Sequence, residues 1–443
     1  MKQFATLALL FILTACAGRS NDDVFIWDES VVNPFHGETL TIAVTHREPM
    51  WKFVNIFEQE NPGVEIEWAV LGTDFDAVRE RMAVQLMAGE APLLMNSNFV
   101  DMRNRSFFVD WMPLIEAHPR FNDDEWFMDI FHALAEGGRL YELPAGVSYQ
   151  TYAGNKNVPG LVEKLAQMDS ISNQQLIEIF IEFGGADSGL HVGMVNFPFF
   201  SDEFVNFETG YVNFASPEFI SLLEMALEFT KPLPDSVLEA MTQTWHVEHL
   251  MANYYMFNSA PSCYIMGSDI FVGDVAFANR IPFVNNDGEL VIRPDFFQQL
   301  ALNAAATETQ RALALEFFRL TQDVTDNRTR SVYENVMAIS WGQVPINRAR
   351  FEHCLRRDIG SAMWNFIQPG LRLSIAHDEA VEYLLSQIRR EMDRPMASGQ
   401  NVPLSIVHFF NELRNDLNLG IISPHEAAAA MQNRVALEIL EGN

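Results

Sequence analysis

The stretch that most constrains the fold runs from Thr39 to Asn96. It opens with TLTIAV, a β-branched run of strand length. After the loop HREPM comes WKFVNIFEQE, in which Phe53, Ile56 and Phe57 recur at helical spacing. Asn61-Pro62-Gly63 breaks that helix. VEIEWAV then alternates as a second strand, AVRERMAVQLMAG reads as a helix closed by Gly89, and PLLMN is a short buried strand. Each strand is joined to the next by a helix and not by a tight turn, which predicts a parallel sheet with helices packed on it.

The chain then leaves this region. GRLYELP ends the first sheet region and a further strand is expected over 149–155. Helical segments are expected over 171–184 and 217–256, and residues 260–284 return to strand character with Gly267, Gly273 and Pro282 as breaks. LALNAAATETQRALALEFFRLTQ reads as strand, turn and helix, and 326–440 as mainly helical. A chain that builds one α/β region, then another, and returns predicts two lobes: 38–145 with 265–322, and 146–264 with 323–443. The crossings fall near 144–150, 260–268 and 320–326. A length of 443 residues is too great for one ordinary core and agrees with that division. No repeat of fixed period is present, so a solenoid or propeller is not expected.

The N-terminus carries the second strong signal. Lys2 precedes a short apolar run, Phe4 to Leu13, and Leu13-Thr14-Ala15-Cys16 follows. The run is too short to span a bilayer and reads as a signal peptide over 1–15. The tetrad looks like a lipobox, which implies a diacylated Cys16 as the first mature residue. Residues 16–37 show no sustained period and read as a tether. The sequence holds 29 Lys and Arg against 59 Asp and Glu, a net charge of −30. That balance excludes nucleic acid as a partner and disfavours adhesion to anionic lipid through basic patches. Contact with the membrane is therefore expected through the lipid alone. Cys263 and Cys354 are expected as separate buried thiols, with a disulfide between them the alternative, and two such cysteines without a Cys-x-x-Cys pair do not make a structural zinc site.

IFEQENPGVEIEW, QLMAGEAPLLMNSN, GRLYELPAGVSYQTYAGNK, VNFETGYVNFASPEFISLLEMALEF and the closing SPHEAAAAMQNRVALEILEG stand in order over some 400 residues. Together they resemble family 1 extracellular solute-binding proteins, the sugar-binding receptors of ABC importers, and the last two resemble its clostridial-type branch. Leu93 stands where the family has an aspartate, and MDSIS stands where a Trp-Thr pair is usual. The resemblance implies an α/β, two-lobed periplasmic-binding-protein-like fold of type II. Each lobe would be a mixed, mostly parallel sheet flanked by helices, with a helical C-terminal part. It also implies a monomeric, lipid-anchored receptor on the outer face of the bacterial cell membrane. Such a receptor captures a carbohydrate, in the first place an oligosaccharide, by hinge closure and delivers it to ABC permease subunits.

Sugars have apolar C–H faces ringed by hydroxyls, so a receptor for them combines aromatic platforms with planar hydrogen-bonding groups. In a parallel α/β sheet those groups project from loops at the C-terminal ends of strands. That rule selects Glu48 and Trp51 after the first strand, Asn98 and Asp101 after PLLMN, and Tyr149 beyond the first crossing. Trp245, opening a helix, and Trp341, beside Gly342, complete the candidate ligand-binding set. Asn98 and Glu48 also fit a helix cap, Asp101 a helix dipole, and Tyr149 a plain strand position.

No catalytic constellation emerges. His246-Val247-Glu248-His249 spaces its histidines at i and i+3, whereas the zinc-peptidase motif needs i and i+4. There is no Gly-x-Ser-x-Gly elbow, Walker loop or Gly-x-Gly-x-x-Gly. An enzyme is not expected, nor a metal or cofactor. The alternatives left open are a non-sugar solute such as a polyamine or peptide, and a surface-anchored carbohydrate-active enzyme.

Overall fold

The β-branched run that opens the region forms β1 (Thr39–Val44), and the next run forms β2 (Glu65–Val70). The two pair in parallel, from Thr39 against Glu65 to Val44 against Val70. β3 (Leu94–Asn96) joins the other side of β1, also in parallel. The structure is a computed structural model. It describes residues 25, 27 and 33–442, apart from 46–50, 73, 103, 184–202, 208, 230–256, 262–270, 273–276, 295–298, 337–343, 361–371, 374 and 399–403. Beyond β3 the sheet continues with the returning strand Gln299–Leu302, antiparallel to β3, and then with β4 (Leu143–Pro144).

Both faces of this sheet are covered. The helix Trp51–Glu60 sets Phe53, Val54, Ile56 and Phe57 against Leu40 and Ile42. The helix Phe75–Ala88 puts Val78, Met82 and Leu86 on the opposite face, against Ala43 and Met95. Asp74 starts that second helix by accepting the Ala77 N–H at 3.2 Å. Gly89 ends it at φ 73°, where a Cβ would be strained. The first core extends to the fully buried Trp111 and Trp126 and to the helix Glu308–Gln322, whose Leu313, Phe317 and Phe318 it contains.

β5 (Gly146–Asn155) carries the chain out of this lobe. Its first half pairs antiparallel with Leu290–Pro294 and with Val344–Pro345. Its second half pairs antiparallel with Phe257–Pro261 and Phe277–Pro282. Val147 and Tyr149 pack into the first core, and Tyr152 packs into a second one. At Gly154 a Cβ would lie 2.8 Å from Leu165 Cδ1, so glycine is what lets the short helix Leu161–Leu165 lie close on the strand. In the second core Phe219 meets Phe204 and Phe214 edge-on, with ring centres 5.0 and 4.8 Å apart. Around that cluster pack the helices Asn173–Glu182, Pro217–Phe229, Leu404–Asn418 and Pro424–Gly442. Ser172, in the segment where the resemblance departs from its family, opens the first of these helices with a capping box to Gln175.

Three expectations need correction. First, residues 323–443 do not all join the second lobe. Val324, Val332, Phe351, Leu355 and the buried stripe Ala380, Leu384, Ile388 of the helix His377–Met392 pack in the first core. Helical periodicity shows that a face is buried but not which core buries it. Second, Ile281 and Phe283 belong to the second core, so among the described residues the chain changes core between Phe283 and Leu290 and again between Met392 and Ile406. The first change of core falls between Tyr149 and Tyr152, later than the expected lobe boundary at 145/146. Third, the segment read as a tether is not free up to residue 37. Phe35 is buried in the first core, and Phe25 and Trp27 pack against it. Burial of aromatic rings, about 1.5–3 kcal/mol for a fully buried one, accounts for that seating.

Candidate functional site

The order β2-β1-β3 places a switch point at β1. The helix after β1 leads to β2 on one side, and the helix after β2 passes over to β3 on the other. At such a point a doubly wound sheet has its crevice at the carboxyl ends of the strands, here those of β1 and β3.

Trp51 stands on its rim as the first residue of its helix, 42% exposed, with Lys52 Nζ 5.9 Å from the centre of its ring. On the other side, Ser97–Phe99 form a single turn after β3. Asn98 lies in that turn, but the capping role falls to Asn96, whose Oδ1 accepts the Asn98 N–H at 2.9 Å. The Asn98 carbonyl accepts from Arg79 Nε at 2.7 Å. Asp101 follows, exposed. Trp51 thus opens the helix that follows β1, while Asn98 and Asp101 follow β3. Glu48, Trp245 and Trp341 lie outside the described residues, as do Cys16 and Cys263, while Cys354 is buried in the first core.

Sequence reasoning missed Gln299. Its Oε1 accepts from the buried Ser97 hydroxyl at 3.0 Å, at the end of β3 that faces the crevice. The two residues are 202 positions apart, and no local pattern signals their meeting.

Tyr149 is placed differently from the others. It is 2% exposed, and its hydroxyl donates to Glu391 Oε2. Arg280 Nη2 reaches both oxygens of the same carboxylate, at 2.8 and 2.7 Å. Burial, reinforced by the Glu391 charge, pushes the Tyr149 phenol well above its ordinary value, so it remains a donor. A signal for this cluster did exist in the sequence. Glu391 follows Arg389 and Arg390 in the last turn of a helix, where the dipole disfavours a carboxylate unless a cation neutralises it.

A further polar cluster lies under the N-terminal segment, beside an opening of about 350 Å³ lined by Trp27, His118, Glu316 and Arg319 among others. The Trp27 and His118 rings are 4.0 Å apart. His118 Nδ1 accepts the Arg120 N–H at 3.0 Å, so Nε2 carries the proton and donates to Glu316 at 3.0 Å. Burial raises the Glu316 pKa, but the His118 hydrogen bond and the Arg319 charge outweigh it and hold the carboxyl below the usual range. Among the described residues no cluster of His, Cys, Asp and Glu could hold a metal, and no helix is long and apolar enough to cross a membrane.

Solved structures share the fold. The chain is similar over 91% of its length to 98% of the sugar-binding protein MalE from Xanthomonas citri, at 13% identity and a TM-score of 0.56. Over 90% of its length it is similar to 98% of a family 1 extracellular solute-binding protein from Alicyclobacillus acidocaldarius, at 14% identity and a TM-score of 0.56. It is likewise similar over 91% to 99% of a family 1 extracellular solute-binding protein from Bifidobacterium longum subsp. infantis, at 12% identity and a TM-score of 0.52. The fold is that of a two-lobed periplasmic binding protein. No protein-family model and no curated protein matches the sequence. At these identities the likeness is one of fold, and in this fold the crevice bordered by Trp51 lies on the first lobe.

Proposed function

We propose that the protein is the carbohydrate receptor of an ABC importer, held at the outer face of the bacterial cell membrane by acyl chains on Cys16. The observation that carries the reading is Trp51, an exposed indole opening the helix after β1 at the switch point, with Asn98 and Asp101 following the neighbouring strand β3. Such a pairing suits a solute with both C–H faces and hydroxyls. Trp51 serves as the platform, and Asn98 and Asp101 hydrogen-bond hydroxyls. Glu48, Trp245 and Trp341, which lie outside the described residues, complete the site. The sugar-binding description of the Xanthomonas relative supports the substrate class, and the Leu-Thr-Ala-Cys tetrad supports the anchor. Segments 205–229 and 423–442 support a place in the clostridial-type branch. The protein acts as a monomer, captures its solute by closing the lobes and hands it to permease subunits, with no catalytic step of its own.

The test is a thermal-shift and tryptophan-fluorescence titration of the full chain against a panel of mono- and oligosaccharides, repeated in 0.5 M salt. Binding of at least one sugar, insensitive to salt and lost in Trp51→Ala, is the expected result. A response to polyamines alone, collapsing with salt, or turnover of chromogenic glycosides would overturn the sugar-receptor reading.

A further inference from the structure

Arg280 and Glu391 are an unusual pair to find in the interior. Their side chains are 4% and 12% exposed, and each would be costly to bury alone. Arg280 lies in Phe277–Pro282, next to Ile281 of the second core. Glu391 lies in the last turn of His377–Met392, between Ile388 and Met392 of the first core. Tyr149, the third partner, sits on β5 three residues before Tyr152, where that strand changes from one core to the other. The pair thus joins elements seated in different lobes, at the crossing strand itself. Arg394 adds a neighbouring tie, its Nη2 donating to the Asp169 carbonyl at 2.9 Å.

Rotation of one lobe against the other would carry the guanidinium and the carboxylate apart, since each is fixed by the packing of its own element. Hydrogen bonds weaken steeply with misalignment, and inside the protein no water replaces them cheaply. The three side chains therefore penalise lobe angles other than the one that aligns them. We propose that Arg280, Glu391 and Tyr149 form a buried joint that positions the two lobes, holding the unliganded protein to one narrow range of interlobe distances. None of the three need touch solute, and the inference holds whatever the solute is.

A pair that only stabilised the fold would leave lobe geometry unchanged once stability was restored. The test therefore measures geometry. In the full chain with its three cysteines replaced by alanine, nitroxide labels are placed at Val84→Cys on the first lobe and Leu419→Cys on the second, both exposed positions. Pulsed electron–electron resonance then reads the interlobe distance distribution without ligand, and melting temperature is measured in parallel. The parent is expected to show one narrow peak. Arg280→Met with Glu391→Leu replaces the pair by packed apolar groups, an exchange that often preserves stability. It is expected to broaden or split the peak while the melting temperature stays near the parent's. Tyr149→Phe, which removes one hydroxyl and folds even if the double variant does not, is expected to broaden it less. A parent distribution that is already broad would overturn the proposal. So would an unchanged width in Tyr149→Phe together with an unchanged width in a folded double variant, or in Tyr149→Phe alone if the double variant does not fold. Absence of sugar binding would leave these outcomes intact, so the two readings fail separately.

Discussion

The two lobes reach layered packing by different routes. In the first, β1, β2, β3 and the helices covering both sheet faces come from one contiguous stretch, Thr39 to Asn96. In the second, the core gathers around a strand shared with its neighbour and needs helices from the middle and the end of the chain. Gln432 Nε2 donates to the Val212 carbonyl at 3.0 Å across 220 positions. The difference teaches where local order suffices: one lobe can assemble the β1–β3 part of its sheet early, while the other waits for its last forty residues.

The most severe way to break this asymmetry is truncation before Leu404. It removes Ile406, Phe410, Met431 and Val435 from the second core. Amide exchange is expected to show protection lost over 173–182 and retained over 39–70. Next in size are single core truncations. Trp126→Ala in the first lobe and Phe219→Ala in the second should each cost about 3–5 kcal/mol in urea unfolding. Exchange should localise each loss to its own lobe. If either variant loosens both lobes equally, they form one cooperative unit.

How much of this was legible follows from particular residues. The β1–β3 unit could be read because Thr39–Val44, the helix at Trp51 and the stop at Gly89 each state their structure within a few positions. The alternating run through Trp68 does the same. Trp51 followed from the switch-point rule alone. The allegiance of the helix His377–Met392 could not be read, since its buried stripe is the same whichever core receives it. Gln299 and the Arg280–Glu391 pair depend on strands that return after more than a hundred positions. Tyr149 was singled out for its position beyond a crossing, and the structure places it in the crossing itself.

Smaller perturbations sharpen the contrast. Trp51→Ala should change stability by no more than about 0.5 kcal/mol, since its ring is exposed. It should nevertheless weaken solute binding about tenfold or more, or ~1.4 kcal/mol, measured by titration calorimetry. The capping boxes of the two lobes are equivalent in geometry, with Thr307 bonded to Gln310 and Ser172 to Gln175. Thr307→Ala and Ser172→Ala should each cost about 1 kcal/mol by urea unfolding, and unequal costs would show that the lobes differ in cooperativity. The least effect is expected from acid. Glu316 is held below its ordinary value of 4.5, so its contribution is complete above that pH and is lost as pH falls from there through the lowered folded value. Exchange of the Glu38 N–H, which bonds to the Phe35 carbonyl, should then quicken relative to the second lobe.

The seating of Phe25 and Trp27 has one more consequence. With acyl chains on Cys16, only nine Cα–Cα steps separate the lipid from the first seated ring, a reach of at most about 30 Å. Under the anchoring proposed above, the protein would stay in a shallow layer above the bilayer, and its search for any membrane partner would be a search in two dimensions. Confinement of this kind would raise the encounter rate with a membrane partner without any added affinity between them.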